Sequence, residues 1–183
     1  MIFTILVLGV LLTGFVLTLV SLGPLKFEPW LFLAAMFLVI YYVKKRERAK
    51  FVTWKPEYSV GVAALDDDHK KLLNLINQFQ TAVHYNTGEK FESEALMELV
   101  EYTKTHFKRE EDLMEQNGYE SFDAHKAEHE KMIGKVEEHL ANYEAKGHRA
   151  LPETAKFLTD WLINHINGTD QQYSKFLNDK GVH

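Results

Sequence analysis

The chain has 183 residues, no cysteine and a net charge of −5. The absence of cysteine rules out disulfides, iron–sulfur clusters and thiol catalysis. Residues 1–50 carry six basic and two acidic side chains, which leaves −9 on residues 51–183, and an acidic domain of that size has no electrostatic reason to bind nucleic acid.

In chain order, residues 1–22 contain no charged side chain, and roughly 20 apolar residues suffice to cross a bilayer as a helix. A second apolar run, Trp30–Val43, is 14 residues long, about 21 Å of helix against a hydrocarbon core of ~30 Å. Pro29 before it and Tyr41 and Tyr42 within its last turn extend it toward the interface. The connection Gly23–Glu28 suits a helical hairpin. A cleaved signal peptide is the competing reading of the start. It would show a basic n-region and a small-residue cleavage site, whereas here no Lys or Arg precedes Lys26. Lys44–Lys50 supplies five positive charges against one negative, which by the positive-inside rule keeps it in the cytoplasm. The expectation is a transmembrane helical hairpin over residues 1–43, a basic juxtamembrane linker over 44–51 and a cytoplasmic domain over 52–183. The protein would then be a multi-pass protein of the cell membrane.

After an irregular arm around Phe51–Ala64, four amphipathic stretches follow, separated by turn signals. The first, Asp66–Tyr85, puts His69, Leu72, Leu73, Ile76, Phe79 and Val83 on one face and ends at Asn86-Thr-Gly88. Ser93–Gln116 lines up Leu96, Leu99, His106, Glu110 and Leu113. Ser121–Ala145 lines up His125, His129, Met132, Val136 and Leu140. The last opens at Pro152 and carries Leu158, Trp161, Leu162, His165, Ile166, Tyr173 and Phe176. Short loops make neighbours antiparallel, so the fold is all-α, an up-down-up-down four-helix bundle.

One histidine on an apolar helix face is ordinarily a satisfied core residue. Here His69, His106 with Glu110, His125 with His129, and His165 with Asp170 fall on four successive helical stretches. Spacing of i, i+4 sets two side chains on one face, one turn apart. Five imidazoles and two carboxylates buried together without a metal would be very costly to desolvate. The set reads as one dinuclear metal site. Asp170 poses a geometric difficulty, because five residues beyond His165 lies about 140° off its face in a regular helix. A π-turn near Gly168 removes it. His84, His139, His148 and His183 fall outside the pattern and read as surface residues. Tyr173, one turn beyond Asp170, is placed to hydrogen-bond a bridging carboxylate, with core packing as the alternative.

These residues and their neighbours resemble the hemerythrin family, specifically a bacteriohemerythrin domain joined to a membrane anchor. The likeness covers about residues 52–178. Trp54 and Gly61 stand in the arm as the family has them. Leu65-Asp-Asp-Asp-His69-Lys-Lys-Leu72 resembles I-D-x-Q-H-x-x-L, and His106-Phe107-x-x-Glu110-Glu111 matches H-F-x-x-E-E. His125-x-x-x-His129 matches H-x-x-x-H, and Trp161-Leu162-x-x-His165-Ile166-x-x-x-Asp170 matches the last ligand pair. Asp68 departs from the pattern, since Gln is usual there, which leaves the hydrogen bonding near His69 open.

The resemblance implies two non-haem irons with an oxo or hydroxo bridge. His125, His129 and His165 would hold one, His69 and His106 the other, with Glu110 and Asp170 bridging. One iron then has six ligands and the other five, which leaves a position for O2. Leu72, Phe107, Trp161, Leu162 and Ile166 would wall that pocket and exclude water. The implied function is reversible O2 binding at the membrane, for storage, delivery or buffering beside a membrane O2-consuming enzyme, and not catalysis. A di-iron oxidase, ferroxidase or nitric-oxide reductase is the alternative, and an O2 sensor is a third. Ferritin-like di-iron sites use four Glu and two His, and the histidine-rich set here is less suited to stabilising high-valent iron.

Overall fold

The computed structural model describes residues 2–85 and 87–183, so Asn86, in the turn expected after the first bundle helix, lies outside the described residues. The chain forms two compact units, Met1–Phe51 and Val52–His183.

The first unit consists of α1 (Ile2–Leu22) and α2 (Glu28–Arg48), which pack on each other. Phe32 lies so close to Gly14 that a Cβ at that position would come within 2.4 Å of its ring, and Phe15 meets Trp30 edge-on at 6.4 Å. Of the described helices, only α1 is both long and apolar enough to cross a membrane. The run expected as a 14-residue second span is part of a 21-residue helix, because α2 continues through Lys44, Lys45, Arg46 and Arg48. Lys and Arg are good helix formers, and in a last turn they complement the negative end of the helix dipole. Four of the five basic residues of the linker are therefore helical, and Lys50 lies in the turn that follows.

Among the described residues the second unit is helical apart from its N-terminal arm and its turns. It comprises α3 (Ala63–Tyr85), α4 (Glu89–Asn117), α5 (Phe122–Lys146), α6 (Leu151–His165) and α7 (Gln171–Asp179). α6 and α7 are one rod interrupted by a π-turn over Ile166–Asp170, as the five-residue spacing predicts. The four rods form the up-down-up-down bundle. Gly118 caps α4 in the left-handed conformation at φ 70°, where glycine has no Cβ penalty.

The arm before α3 is pinned by Asn77, whose side chain exchanges two hydrogen bonds with the backbone of Val52. Its other end turns at Gly61, at φ 75°, where a Cβ would meet the Asn178 side chain at 2.7 Å.

Two apolar clusters fill the interior. The larger includes Leu72, Ile76, Phe79, Leu96, Leu99, Val136, Leu158 and Leu162. The smaller comprises Val60, Val62, Leu65, Met114, Tyr173 and Leu177. Three inward positions differ from the expected face. Ala82 is buried where Val83 is half-buried, Met114 where Leu113 is half-buried, and Leu177 where Phe176 is half-buried. The last difference follows from the π-turn, whose extra residue shifts the inward face of α7 by one position.

Candidate metal centre

The predicted polar residues lie between the two apolar clusters. On α3 the order is Leu65, His69, Leu72; on α4 it is Phe107, Glu110, Met114; on the last rod it is Ile166, Asp170, Tyr173. All seven are buried, none more than 5% exposed. They form two groups, each able to hold a metal ion: Glu110 with His125, His129 and His165, and His69 with His106, Glu110 and Asp170.

The two carboxylates reach both groups. Asp170 Oδ2 is 3.3 Å from His69 Nε2, while its Oδ1 is 3.0 Å from His165 Nε2 and 3.7 Å from His125 Nε2. Glu110 Oε2 lies 3.2 Å from His129 Nε2, 3.5 Å from His125 Nε2 and 3.7 Å from His106 Nε2. Its other oxygen accepts a hydrogen bond from the Tyr173 hydroxyl. Tyr173 is thus both core residue and partner of a carboxylate, and the carboxylate is Glu110 rather than its neighbour Asp170.

The donor set fits a metal. His69 Nε2, His106 Nε2, Glu110 Oε2 and both Asp170 oxygens are buried without a well-formed hydrogen bond, a cost that native interiors rarely tolerate. His129 Nε2 sits 3.1 Å from both His125 Nε2 and His165 Nε2. With a metal–nitrogen bond of about 2.1 Å, donors at 90° stand about 3.0 Å apart and tetrahedral donors about 3.4 Å. The spacing is that of donors able to share one metal ion.

Electrostatics agree. Burial pushes the Glu110 and Asp170 carboxyls up, but the surrounding imidazoles outweigh it, so both titrate below the ordinary carboxylate range, Glu110 well below. Burial lowers His69 and His129, yet Asp170 and Glu110 respectively raise them above the ordinary value of 6.5. The carboxylates are ionised and ready to accept a cation.

Aromatic rings cover one side. Phe107 stacks on His129 at 3.7 Å and Trp161 on His165 at 4.2 Å. Leu72, Phe107, Leu162 and Ile166 are buried and Trp161 is half-buried. Leu72, Trp161 and Leu162 also line a small apolar cavity with Leu99, Thr103 and Met132. Its volume is about 10 Å³, at the lower limit for a single water.

Three features of the centre had no role assigned from the sequence. Glu111 Oε1 stands 2.8 Å from His129 Nδ1. Asp68 is buried and lies behind His106, not His69, with its Oδ2 3.6 Å from His106 Nδ1. Tyr102 and Arg109 hold Asp68 from α4, at 2.6 and 2.5 Å. Burial would raise the Asp68 carboxyl, but His106, Tyr102 and Arg109 hold it down at about 2. Of the other histidines, His84, His148 and His183 are exposed. His139 is half-buried, stacked on Phe157 at 4.6 Å and within 3.1 Å of Thr154 Oγ1.

A four-helix bundle with histidines converging from every rod and carboxylates from two of them defines a helical metal-binding protein. The family model described as "Hemerythrin HHE cation binding domain" matches residues 60–177, and the chain belongs to the hemerythrin family. It is 34% identical over 128 residues to a bacteriohemerythrin of Methylococcus capsulatus (strain Bath), covering 69% of this chain and 96% of that protein. It is 35% identical over 122 residues to a bacteriohemerythrin of Pseudomonas aeruginosa, covering 67% and 78%. A solved structure titled as wild-type hemerythrin superposes with a TM-score of 0.59 at 35% identity, covering 69% of this chain and 97% of that one.

Proposed function

We propose that the chain is a membrane-held di-iron protein that binds O2 reversibly. The observation that carries this reading is the pair of donor groups sharing Glu110, with Asp170 in contact with histidines of both. His125, His129 and His165 would hold one iron, and His69 and His106 the other, with Glu110 and Asp170 shared between the two groups. A reduced iron pair held there would supply the electrons for reversible O2 binding.

The two-histidine side has one protein donor fewer, so it is the side with room for a gas. Leu72 and Thr103, each one turn from a ligand of that side, line the apolar cavity. Leu72, Phe107, Trp161, Leu162 and Ile166 keep water and acids from the bound gas, so that release outpaces oxidation. Tyr173 holds Glu110 by its outer oxygen and leaves the inner one for metal.

In this reading residues 1–43 anchor the protein, 44–51 adjoin the membrane and 52–183 form the iron domain. Support for the anchor is the apolar α1, whose side chains are not buried within the unit. The basic residues Lys44–Lys50 favour a hairpin with the iron domain in the cytoplasm. There it raises or buffers O2 beside a membrane O2-consuming enzyme and is not itself a catalyst.

Stopped-flow mixing of the reduced protein with O2, followed by transfer to O2-free buffer, tests the function. Binding and full recovery of the diferrous state are expected. Stoichiometric loss of that state with turnover of a substrate would reject the reading in favour of a di-iron enzyme. Protease added to spheroplasts tests the orientation: the iron domain should be protected.

A further inference from the structure

We propose that Asp68 is a positioning residue for His106, held in place by Tyr102 and Arg109. The inference rests on the di-iron reading above. A neutral imidazole carries one proton, so if His106 presents the Nε2 lone pair to a metal, its proton resides on Nδ1. That nitrogen is buried without a well-formed hydrogen bond, and the Asp68 carboxylate faces it at 3.6 Å.

Asp68 has little freedom of its own. It is 2% exposed. The Tyr102 hydroxyl donates to Oδ1 at 2.6 Å, and Arg109 Nη1 lies 2.5 Å from both carboxylate oxygens. Tyr102, His106 and Arg109 stand at i−4, i and i+3 on α4, so one carboxylate from α3 meets three side chains of a single helix face. Lys71 covers the outer face of the Tyr102 ring at 4.1 Å.

The two sides of the centre are therefore backed differently. On the three-histidine side, His129 Nδ1 meets Glu111, whose side chain is 22% exposed. On the two-histidine side, His69 Nδ1 is buried without a partner, and His106 alone has a carboxylate behind it. That carboxylate is opposed by a guanidinium. Asp68 thus fixes the ring and its tautomer, while Arg109 offsets the negative charge that would otherwise pass to the metal ligand.

The test uses the full chain in detergent, loaded with ferrous iron under anaerobic conditions. Release of the two irons to a chelator is timed, and the exchangeable imidazole N–H signals are followed by NMR. Asp68→Ala should speed release of one iron about ten- to a hundredfold, leave the other close to its wild-type rate, and open one imidazole N–H to solvent exchange. Asp68→Asn keeps an acceptor oxygen of the same size and should restore slow release, which separates positioning from folding. Arg109→Met should keep both irons and shift the spectrum of the loaded protein. Unchanged release and exchange in Asp68→Ala would overturn the proposal. So would equal loosening of both irons, since Asp68 would then clamp α3 to α4 without acting on His106, and so would failure of Asp68→Asn to restore slow release. A wild-type protein that takes up fewer than two irons would instead reject the di-iron reading on which the proposal stands.

Discussion

In the Met1–Phe51 unit large apolar side chains point outward: Phe3 is 78% exposed, Val10 71% and Val20 80%. The same residue types in the bundle core fall to 5% or less. Polar burial runs the other way. Within α1 and α2 the only buried residue is Pro29, whereas the bundle buries five histidines and three of its aspartates and glutamates at one centre. The contrast shows two ways of using apolar surface. One unit leaves its large apolar side chains exposed, and the other turns them inward and places charge at its heart. An ionised group inside a bundle is costly unless it is paired or bound to a metal, so the second arrangement needs partners for its buried charges and the first does not.

The sharpest way to break that contrast is to remove a metal donor. His129→Ala should abolish dinuclear iron binding and cost the bundle about 3–4 kcal/mol of apparent stability at iron concentrations well above the dissociation constant, while the helicity of α1 and α2 is unchanged. Iron analysis and thermal melts check this, and two irons per chain in the variant would contradict the ligand assignment. The converse change is Leu12→Arg, in the middle of α1. A charge at mid-bilayer costs about 2.5–3.5 kcal/mol on insertion scales, so the protein should leave the membrane fraction with its iron content intact. Retention in that fraction would show that α1 does not serve as the anchor.

Smaller effects sharpen the picture within the bundle. Leu162→Ser should keep both irons but quicken autoxidation of the oxygenated protein by about tenfold, equivalent to ~1.4 kcal/mol; an unchanged rate would mean that this apolar wall is core packing only. The smallest effect is that of pH on the metal-free protein. His69 and His129 titrate above 6.5, and each must lose its proton to bind metal. Iron uptake should therefore begin to weaken on acidification while the pH is still above 6.5. Over the same window the metal-free bundle should change in the opposite sense. Stability from these protonated imidazoles is complete below 6.5 and is lost as pH rises through their folded-state values. Uptake titrations and melts of the apoprotein at a series of pH values check both directions.

Much of the bundle and its centre is legible in the sequence because both obey helical period. Leu72, Phe79, Leu96, Leu99 and Val136 fall on inward faces, and the seven polar residues lie on those same faces. Even the π-turn follows from the five-residue gap between His165 and Asp170. Its downstream effect is harder to see, since one extra residue moves the inward position from Phe176 to Leu177. The Asp68 network has no periodic signature either. Arg109 lies 41 residues away on another helix, and no spacing along the chain pairs it with Asp68. The extent of α2 is obscured for another reason: a run of basic residues reads as a solvated linker, although each is individually a good helix former.

The π-turn also binds two properties of the last rod to one another. It adds a residue to the winding, and so sets the phase of everything beyond it. Asp170 is brought level with His165, and Tyr173 and Leu177 are turned toward Val60, Leu65 and Met114. A helix wound regularly through Ile166–Asp170 would rotate that whole tail by about 100°, carrying the carboxylate out of the centre and two core side chains toward water. The metal site and the closure of the bundle's far end thus share a single backbone offset, and neither can be reset without resetting the other.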